Sequence, residues 1–302
     1  MTADPWTLYW QSGHAHSCIA TQSKDDVQVI AEFWARIAAT LDAESRLLDL
    51  ATGNGTVPAM LLDANASLLV TGVDRAAIDP LKHVEDSGGL ANVEFNGGVD
   101  ITQLPFESGT FGAVTSQFGI EYAPLDDAAG EAVRVLQPGG RLALLMHHSD
   151  SSVVGPAAPR RAEMTALLVA DGVVDRLIAY AAGGGTAADL EAAGEAHLSS
   201  AIERTGQVTG QVFAGVNQVI ELIKGGDRDR ARQLATVMQL RLAADRDRLQ
   251  MLEEAALDDH AVGNLVQTLS DVGVKCDEPA VLRAQSDQSV VIGWTVVGAR
   301  VA

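Results

Sequence analysis

Aromatic residues are scarce in this chain, with Phe, Trp and Tyr making up 4% of its 302 residues. Where they gather is therefore informative: Trp6, Tyr9 and Trp10 place three of the seven Trp and Tyr residues among the first ten positions. Cysteine is scarcer still. Cys18 and Cys276 are the only two, too few for a disulfide framework and consistent with a reducing cytoplasm. Positive charge is in short supply, with 21 Lys and Arg against 40 Asp and Glu and a net charge of −19. Such a surface repels nucleic acid, whose affinity for proteins comes mainly from neutralised phosphates. It also repels an anionic membrane surface. No apolar run approaches the roughly 18 residues of a membrane span. The opening MTADPWTLYWQSGHAHS has neither the basic nor the apolar region of a secretory signal. The expectation is a cytoplasmic protein with no nucleic acid and no membrane among its partners. With 47% hydrophobic and 20% charged residues, intrinsic disorder, collagen and coiled-coil fibre are excluded.

Between residues 46 and 148 short apolar runs alternate with helical stretches. RLLDLA (46–51), SLLVTGVD (67–74), NVEFNGG (92–98), TFGAVTSQF (110–118) and RLALLMHH (141–148) read as five strands. VPAMLLDA, AAIDPLKHVEDSG and LDDAAGEAVRVLQ read as helices, the last stopped by Pro138-Gly139-Gly140. Strands apolar throughout and separated by helices predict a parallel sheet covered on both faces. Right-handed crossovers make it doubly wound, with ligands outside the carboxyl ends of its strands. After Asp150 the pattern changes. SSVVGPAAP (151–159) reads as a linker, and from about 160 to 257 there is no convincing strand, only Gly-ended helices. RAEMTALLVADGVVDRLIAYAAG reads as one of them and AADLEAAGEAHLSSAIERTG as another. This stretch carries 11 basic and 14 acidic residues, so the acidity belongs to the rest of the chain. HAVGNLVQTLSDVGV then reads as a helix, and AVLRAQ and SVVIGWTVVGARV as strands joined through Gln285-Ser286-Asp287-Gln288, an antiparallel hairpin. The helical region is thus an insertion after the fifth strand. Its aliphatic stripe reads as core, with a substrate-facing wall or a homodimer contact as alternatives.

The chemistry concentrates in Asp49-Leu50-Ala51-Thr52-Gly53-Asn54-Gly55-Thr56, directly after the first strand. Gly53 and Gly55 permit backbone turns closed to larger residues and let a ligand approach the main chain. The third glycine of a dinucleotide fingerprint would fall at Pro58, which argues against a nicotinamide or flavin dinucleotide. The segment resembles the nucleoside-binding core of the class I S-adenosylmethionine-dependent methyltransferases. Their acidic-x-Gly-x-Gly-x-Gly motif, often with Ala at the first Gly, is matched by Asp49, Ala51, Gly53 and Gly55. Other landmarks follow in order: Asp74 at the end of the second strand, Asp100-Ile101 after the third, Leu104-Pro105-Phe106, Ser116-Gln117-Phe118 ending the fourth, and Leu136-Gln137-Pro138-Gly139-Gly140. The resemblance covers about residues 45–150, more weakly 260–300, and is closest to the ubiquinone/menaquinone-biosynthesis-like branch.

The resemblance implies an α/β fold: a doubly wound, mostly parallel seven-stranded Rossmann-like sheet with an antiparallel last strand, plus an all-helical insertion after the fifth strand. The divisions expected are an N-terminal lid (1–30), a cofactor-binding core (31–150), a helical cap (151–258) that selects the acceptor, and the end of the sheet (259–302). It implies S-adenosyl-L-methionine as cofactor. Asp49, Ala51, Gly53 and Gly55 would lie at the bend, Asp74 on the ribose, Asp100 and Ile101 on the adenine, and Gln117 beside the sulfonium. Tyr9 and Trp10 would belong to a segment closing over them. The implied activity is methyl transfer to a small-molecule or peptide-like acceptor, with O-methylation ahead of C- and N-methylation. Elimination, cyclisation or hydroxylation on the same cofactor, and a non-catalytic subunit, are the alternatives. Plainer readings stand beside the site residues: Asp74 as a helix cap, Asp100 as a cap or solvated group, Gln117 satisfying a strand end, and static packing of Tyr9 and Trp10. His147 and His148 end the fifth strand on the expected substrate side. Successive strand residues face opposite ways, so one of the pair could take a proton there while the other is solvated or backbone-bonded. Nothing in the sequence separates the two. His14-x-His16-x-Cys18 has too few ligands for a metal site, and no metal is expected.

Overall fold

The computed structural model describes residues 4–14, 24–85, 87–200, 206–285 and 287–302. His16, Cys18 and Ser286 lie outside them. The chain divides into two compact units, one of residues 1–155 with 254–302, the other of residues 156–253.

The first unit is built on an eight-stranded sheet: β1 (Arg46–Leu50), β2 (Leu69–Asp74), β3 (Glu94–Gly97), β4 (Phe111–Gln117), β5 (Leu136–Met146), β6 (Val274–Cys276), β7 (Ala280–Arg283) and β8 (Val291–Arg300). The spatial order is β3-β2-β1-β4-β5-β8, with β6 and β7 on the far edge of β8. The first five are mutually parallel and β8 runs antiparallel to β5. Alternation across the pleat sorts their apolar side chains into two cores. Leu48, Leu50, Val114, Leu142, Leu144 and Met146 face one side, where α5 (Leu125–Val135) and α11 (Asp259–Asp271) cover them. Leu47, Val70, Ala113, Ala143 and Leu145 face the other, beneath α2 (Lys24–Ala38) and α3 (Thr56–Ala64). A short α1 (Pro5–Gln11) precedes them, capped by Asp4, whose side chain accepts from the Thr7 amide. The chain reverses direction across the sheet between β1 and β4, the switch point where open α/β sheets leave a crevice.

Three local expectations are corrected. The helix read over 76–88 is only α4 (Pro80–His83) and a 3-10 turn at Gly88–Leu90; Pro80 can open a helix but forces Asp79 into extended backbone. Pro138-Gly139-Gly140 lies inside β5 as a bulge rather than outside it, with pairing to β4 shifting register between Leu136 and Arg141. The sheet has an eighth strand because the end of the expected helix at Val274 turns extended and pairs with β8.

The second unit is helical: α6 (Ala157–Leu167), α7 (Val173–Ala182), α8 (Ala187–Ser199), α9 (Gln207–Lys224) and α10 (Arg228–Ala255), the last reaching just past the unit's end. The single helix expected over 161–183 breaks into α6 and α7 because Asp171 is left-handed and Gly172 extended. Leu167, Leu177, Val219, Ala231 and Ala235 form its fully buried core. The buried Glu163 accepts from the amide and hydroxyl of Thr209, so a carboxylate from α6 caps the first turn of α9, where Gly206 offers no side chain. Among the described residues no helix is long and apolar enough to cross a membrane.

Trp34 of α2 is completely buried and donates its indole N–H to Gln117 Oε1 at 2.6 Å. Trp34→Ala is expected to destabilise the first unit by about 3–5 kcal/mol, read as a lower urea midpoint.

Candidate functional site

The bend after β1 is set by backbone conformation. Ala51 (φ +53°), Gly53 (φ +53°) and Gly55 (φ +82°) are all left-handed. For Ala51 this costs roughly 1 kcal/mol, and the turn leaves no room for a side chain at Gly119, where a Cβ would collide with the Ala51 methyl. Gly55 precedes α3 without a side-chain cap, so the first amides of that helix open onto the bend. The Thr52 amide donates to Val73 O at 2.9 Å and the Gly53 amide to Asp74 Oδ2 at 2.8 Å, pinning the bend to the end of β2. Asp74 Oδ1 accepts from Ala76 N at 2.8 Å, so it caps the following turn rather than a helix. Burial pushes the Asp74 carboxyl up to about 6 against those two amides. Asp49 lies one layer deeper. Its Oδ1 accepts from Thr115 Oγ1 at 2.8 Å, and burial pushes it up to about 7 against the nearby hydroxyls of Thr52 and Thr115.

The N-terminal helix lies directly on this bend. A Cβ at Gly53 would run into the Trp10 indole, which is itself buried. Asn54 Nδ2 donates to the carbonyls of Trp10 (3.0 Å) and His14 (2.8 Å), and the Ala77 amide donates to Thr7 Oγ1 at 3.0 Å. Trp6 packs edge-on against Tyr122 and stacks with Trp10; Tyr9 stacks on His14. Asn54 Oδ1 is buried with no hydrogen-bond partner among the described residues.

The remaining expected positions are spread around this centre. Asp100 is exposed, and its Oδ1 accepts from the amide and hydroxyl of Thr102, which lowers its pKa. Ile101 beside it is buried. The Gln117 carbonyl oxygen is taken by Trp34. The two histidines part company. His148 stacks flat on Trp294 of β8, ring centroids 4.6 Å apart, and its Nδ1 accepts from Asp150 N. His147 is fully buried on the other side, its Nδ1 2.7 Å from Glu121 Oε1, the same oxygen that accepts the His147 amide at 2.9 Å. Phe118 lies against its ring at 4.6 Å and Tyr122 stands edge-on at 5.7 Å. Glu121 and Tyr122 were not among the residues expected from the sequence, and Asn54 and Phe118 stood in its motifs without a role of their own. An acidic residue just past β4, beside a histidine ending the neighbouring β5, is the signal that marks Glu121. No group of three or more His, Cys, Asp or Glu side chains suited to a metal occurs among the described residues.

Residues 48–144 match the family model of the methyltransferase domain. By that match the segment is similar to methyltransferase domains, over about a third of the chain. Its cofactor is S-adenosyl-L-methionine, and the bend fits it, with open helix amides, a carboxylate and an unengaged buried carboxamide oxygen around glycines that admit close approach. The ubiquinone/menaquinone biosynthesis C-methyltransferase UbiE of Rhizobium johnstonii is 41% identical over 113 residues, 33% of this chain and 40% of that protein. The demethylmenaquinone methyltransferase of Thermus thermophilus is 40% identical over 118 residues, 37% of this chain and 53% of its own. The chain thus spans about half or less of the length of these curated relatives. Among solved structures, an S-adenosylmethionine-dependent methyltransferase from Aquifex aeolicus matches over 92% of this chain and 90% of its own, at a TM-score of 0.44 and 13% identity.

The burial of Asp49 makes stability pH-dependent. Its carboxyl holds a proton up to about pH 7 in the folded protein, while in the unfolded chain it releases it near 3.8. Stability is therefore fullest at low pH and falls as pH rises between those values. Asp49→Asn removes this slope. Between pH 5 and pH 8 the variant should gain roughly 2–3 kcal/mol on the wild type, measured by denaturant titration at both values.

Proposed function

We propose that this protein transfers a methyl group from S-adenosylmethionine to a small-molecule acceptor held over the ends of β4 and β5. The observation that carries this reading is the left-handed bend of Ala51, Gly53 and Gly55, tied by the Gly53 amide to Asp74 within the methyltransferase segment. The cofactor supplies an electrophilic methyl group on a sulfonium. Asp74, acceptor-only when ionised, would hold the two ribose hydroxyls; Asn54 Oδ1 would accept from the ammonium; Ile101 would pack against the base. Alignment and exclusion of water then do most of the work, and α1, with Trp10 across Gly53, serves as the cover. The names of the relatives favour a second reading, transfer to carbon on a quinone precursor.

Calorimetry with S-adenosylmethionine, and the mass of the product, test the reading. A gain of one methylene unit marks transfer; an unchanged mass marks another use of the sulfonium. Asp74→Ala should weaken cofactor binding by about 1.5–3 kcal/mol, roughly ten- to hundredfold, and unchanged affinity rejects the ribose role. Removal of residues 1–13 should lower turnover several-fold while leaving the denaturation midpoint of the core nearly unmoved; equal turnover rejects the cover.

A further inference from the structure

The buried pair formed by His147 and Glu121 goes beyond cofactor binding. Both side chains are withdrawn from solvent, yet they lie at the ends of neighbouring strands where the acceptor is expected. Glu121 Oε1 is shared between the backbone amide and Nδ1 of the same histidine. A carboxylate can only accept, so Nδ1 carries the proton and Nε2 carries the lone pair. A carboxylate placed this way fixes the tautomer and the ring plane, and stabilises the imidazolium that proton uptake creates. Oε2 of Glu121 is buried with no hydrogen-bond partner among the described residues, a polar atom held here at a cost.

The surroundings are aromatic. Phe118 reaches the His147 ring only because its own backbone turns left-handed at φ +51°, a conformation that is strained for a bulky residue and marks functional sites. With Tyr122 and the Trp6, Tyr9 and Trp10 of α1, five of the chain's 13 Phe, Trp and Tyr residues gather here. Flat apolar walls suit a flat apolar acceptor. A single imidazole can deprotonate a hydroxyl that ionises near 10, as tyrosine does, far more readily than an alkanol, which holds its proton about as tightly as water at ~15.7.

We propose that Glu121 is a positioning residue that holds His147 as the general base of the reaction, and that the acceptor is a phenol-type hydroxyl on a planar ring. This rests on the methyl-transfer reading. The acceptor's proton passes to His147 Nε2. The oxygen's electron pair forms the new C–O bond as the C–S bond breaks, its pair remaining on sulfur, and His147 later releases the proton to water. Among the described residues, Glu121 and the Tyr122 phenol are titratable groups in contact with His147; Phe118 brings none, and Leu257 brings only its amide, to the His147 carbonyl.

Nitrogen-15 spectra of the histidine rings in the full-length protein test the positioning without any turnover. The expected state of His147 is protonated at Nδ1, and a proton on Nε2 instead overturns the proposal. 2-Naphthol should shift the His147 Nε2 resonance while naphthalene, the same shape without the hydroxyl, should not; no shift, or equal shifts, overturns the acceptor class. With S-adenosylmethionine, 2-naphthol should gain one methylene unit. Glu121→Gln should lower kcat by about a hundredfold with KM and melting temperature nearly unchanged, and should displace the acidic limb of the pH–rate profile, where the base takes up its proton, to lower pH; Glu121→Asp should recover part of the rate. A Glu121→Gln enzyme with wild-type kcat and profile overturns the role. Loss of the transfer reading would show separately, as absence of cofactor binding with the His147 tautomer still as expected.

Discussion

The bond from the Gly53 amide to the Asp74 carboxylate is the constraint on which the site depends. It joins the bend after β1 to the end of β2 at the point where the sheet's winding reverses. A carboxylate buried there is unfavourable unless amides meet it, and both of its oxygens receive one. The same bond explains why Ala51, a residue with a side chain, tolerates a left-handed backbone: the turn is over-determined from both sides, by Asp74 through Gly53 and by Gly119 against the Ala51 methyl. Asp49 contributes from below by holding Thr115 of β4, which links β1 and β4 through side chains as well as through their ladder. The acids that shape the bend are thus buried ones, and the protein retains them against desolvation because the geometry of the crevice needs them.

What the sequence made legible was local or periodic. Apolar runs of strand length, helices between them and glycines after β1 leave their mark residue by residue, so the parallel sheet and the bend could be read directly. The strand β6 could not: three residues paired only with the end of β8 carry no period of their own. The break between α6 and α7 turns on a left-handed Asp171, which a run of helix-favouring residues conceals. At the site, the motif positions identified themselves by spacing along the chain, whereas Glu121 is defined by what stands opposite it on another strand. Glu121 and His147 stand 26 positions apart, with α5 and all of β5 between them, and only the register of β4 with β5 brings them together. The choice between His147 and His148 likewise needed the pleat's absolute orientation, which Trp294 on β8 reveals by stacking on His148.

The family match and the proposed acceptor chemistry occupy different parts of the chain. The matched segment ends at residue 144, before the two histidines and before the entire helical unit. That boundary has a physical basis. Under the proposed reading, a nucleoside sulfonium is one fixed ligand to which the bend, Asp74 and the surrounding strands would answer. The ends of β4 and β5 would then answer to the acceptor.

The aromatic residues bear on both halves. In a chain so poor in them, placing Trp6, Tyr9 and Trp10 on a seven-residue helix is a concentrated use of apolar surface, and a helix of that length has little stability of its own. It is held by its contacts with the bend and with Tyr122. Those contacts are the ones that a cofactor approaching Gly53, or an acceptor approaching His147, must displace or rearrange. If α1 is the cover of the proposed site, exchange of its own indole for a ligand would couple the two halves of the site through one element. The binding of one ligand and the opening toward the other would then be a single equilibrium of α1, set by how strongly Trp10 and Trp6 hold to Gly53 and Tyr122.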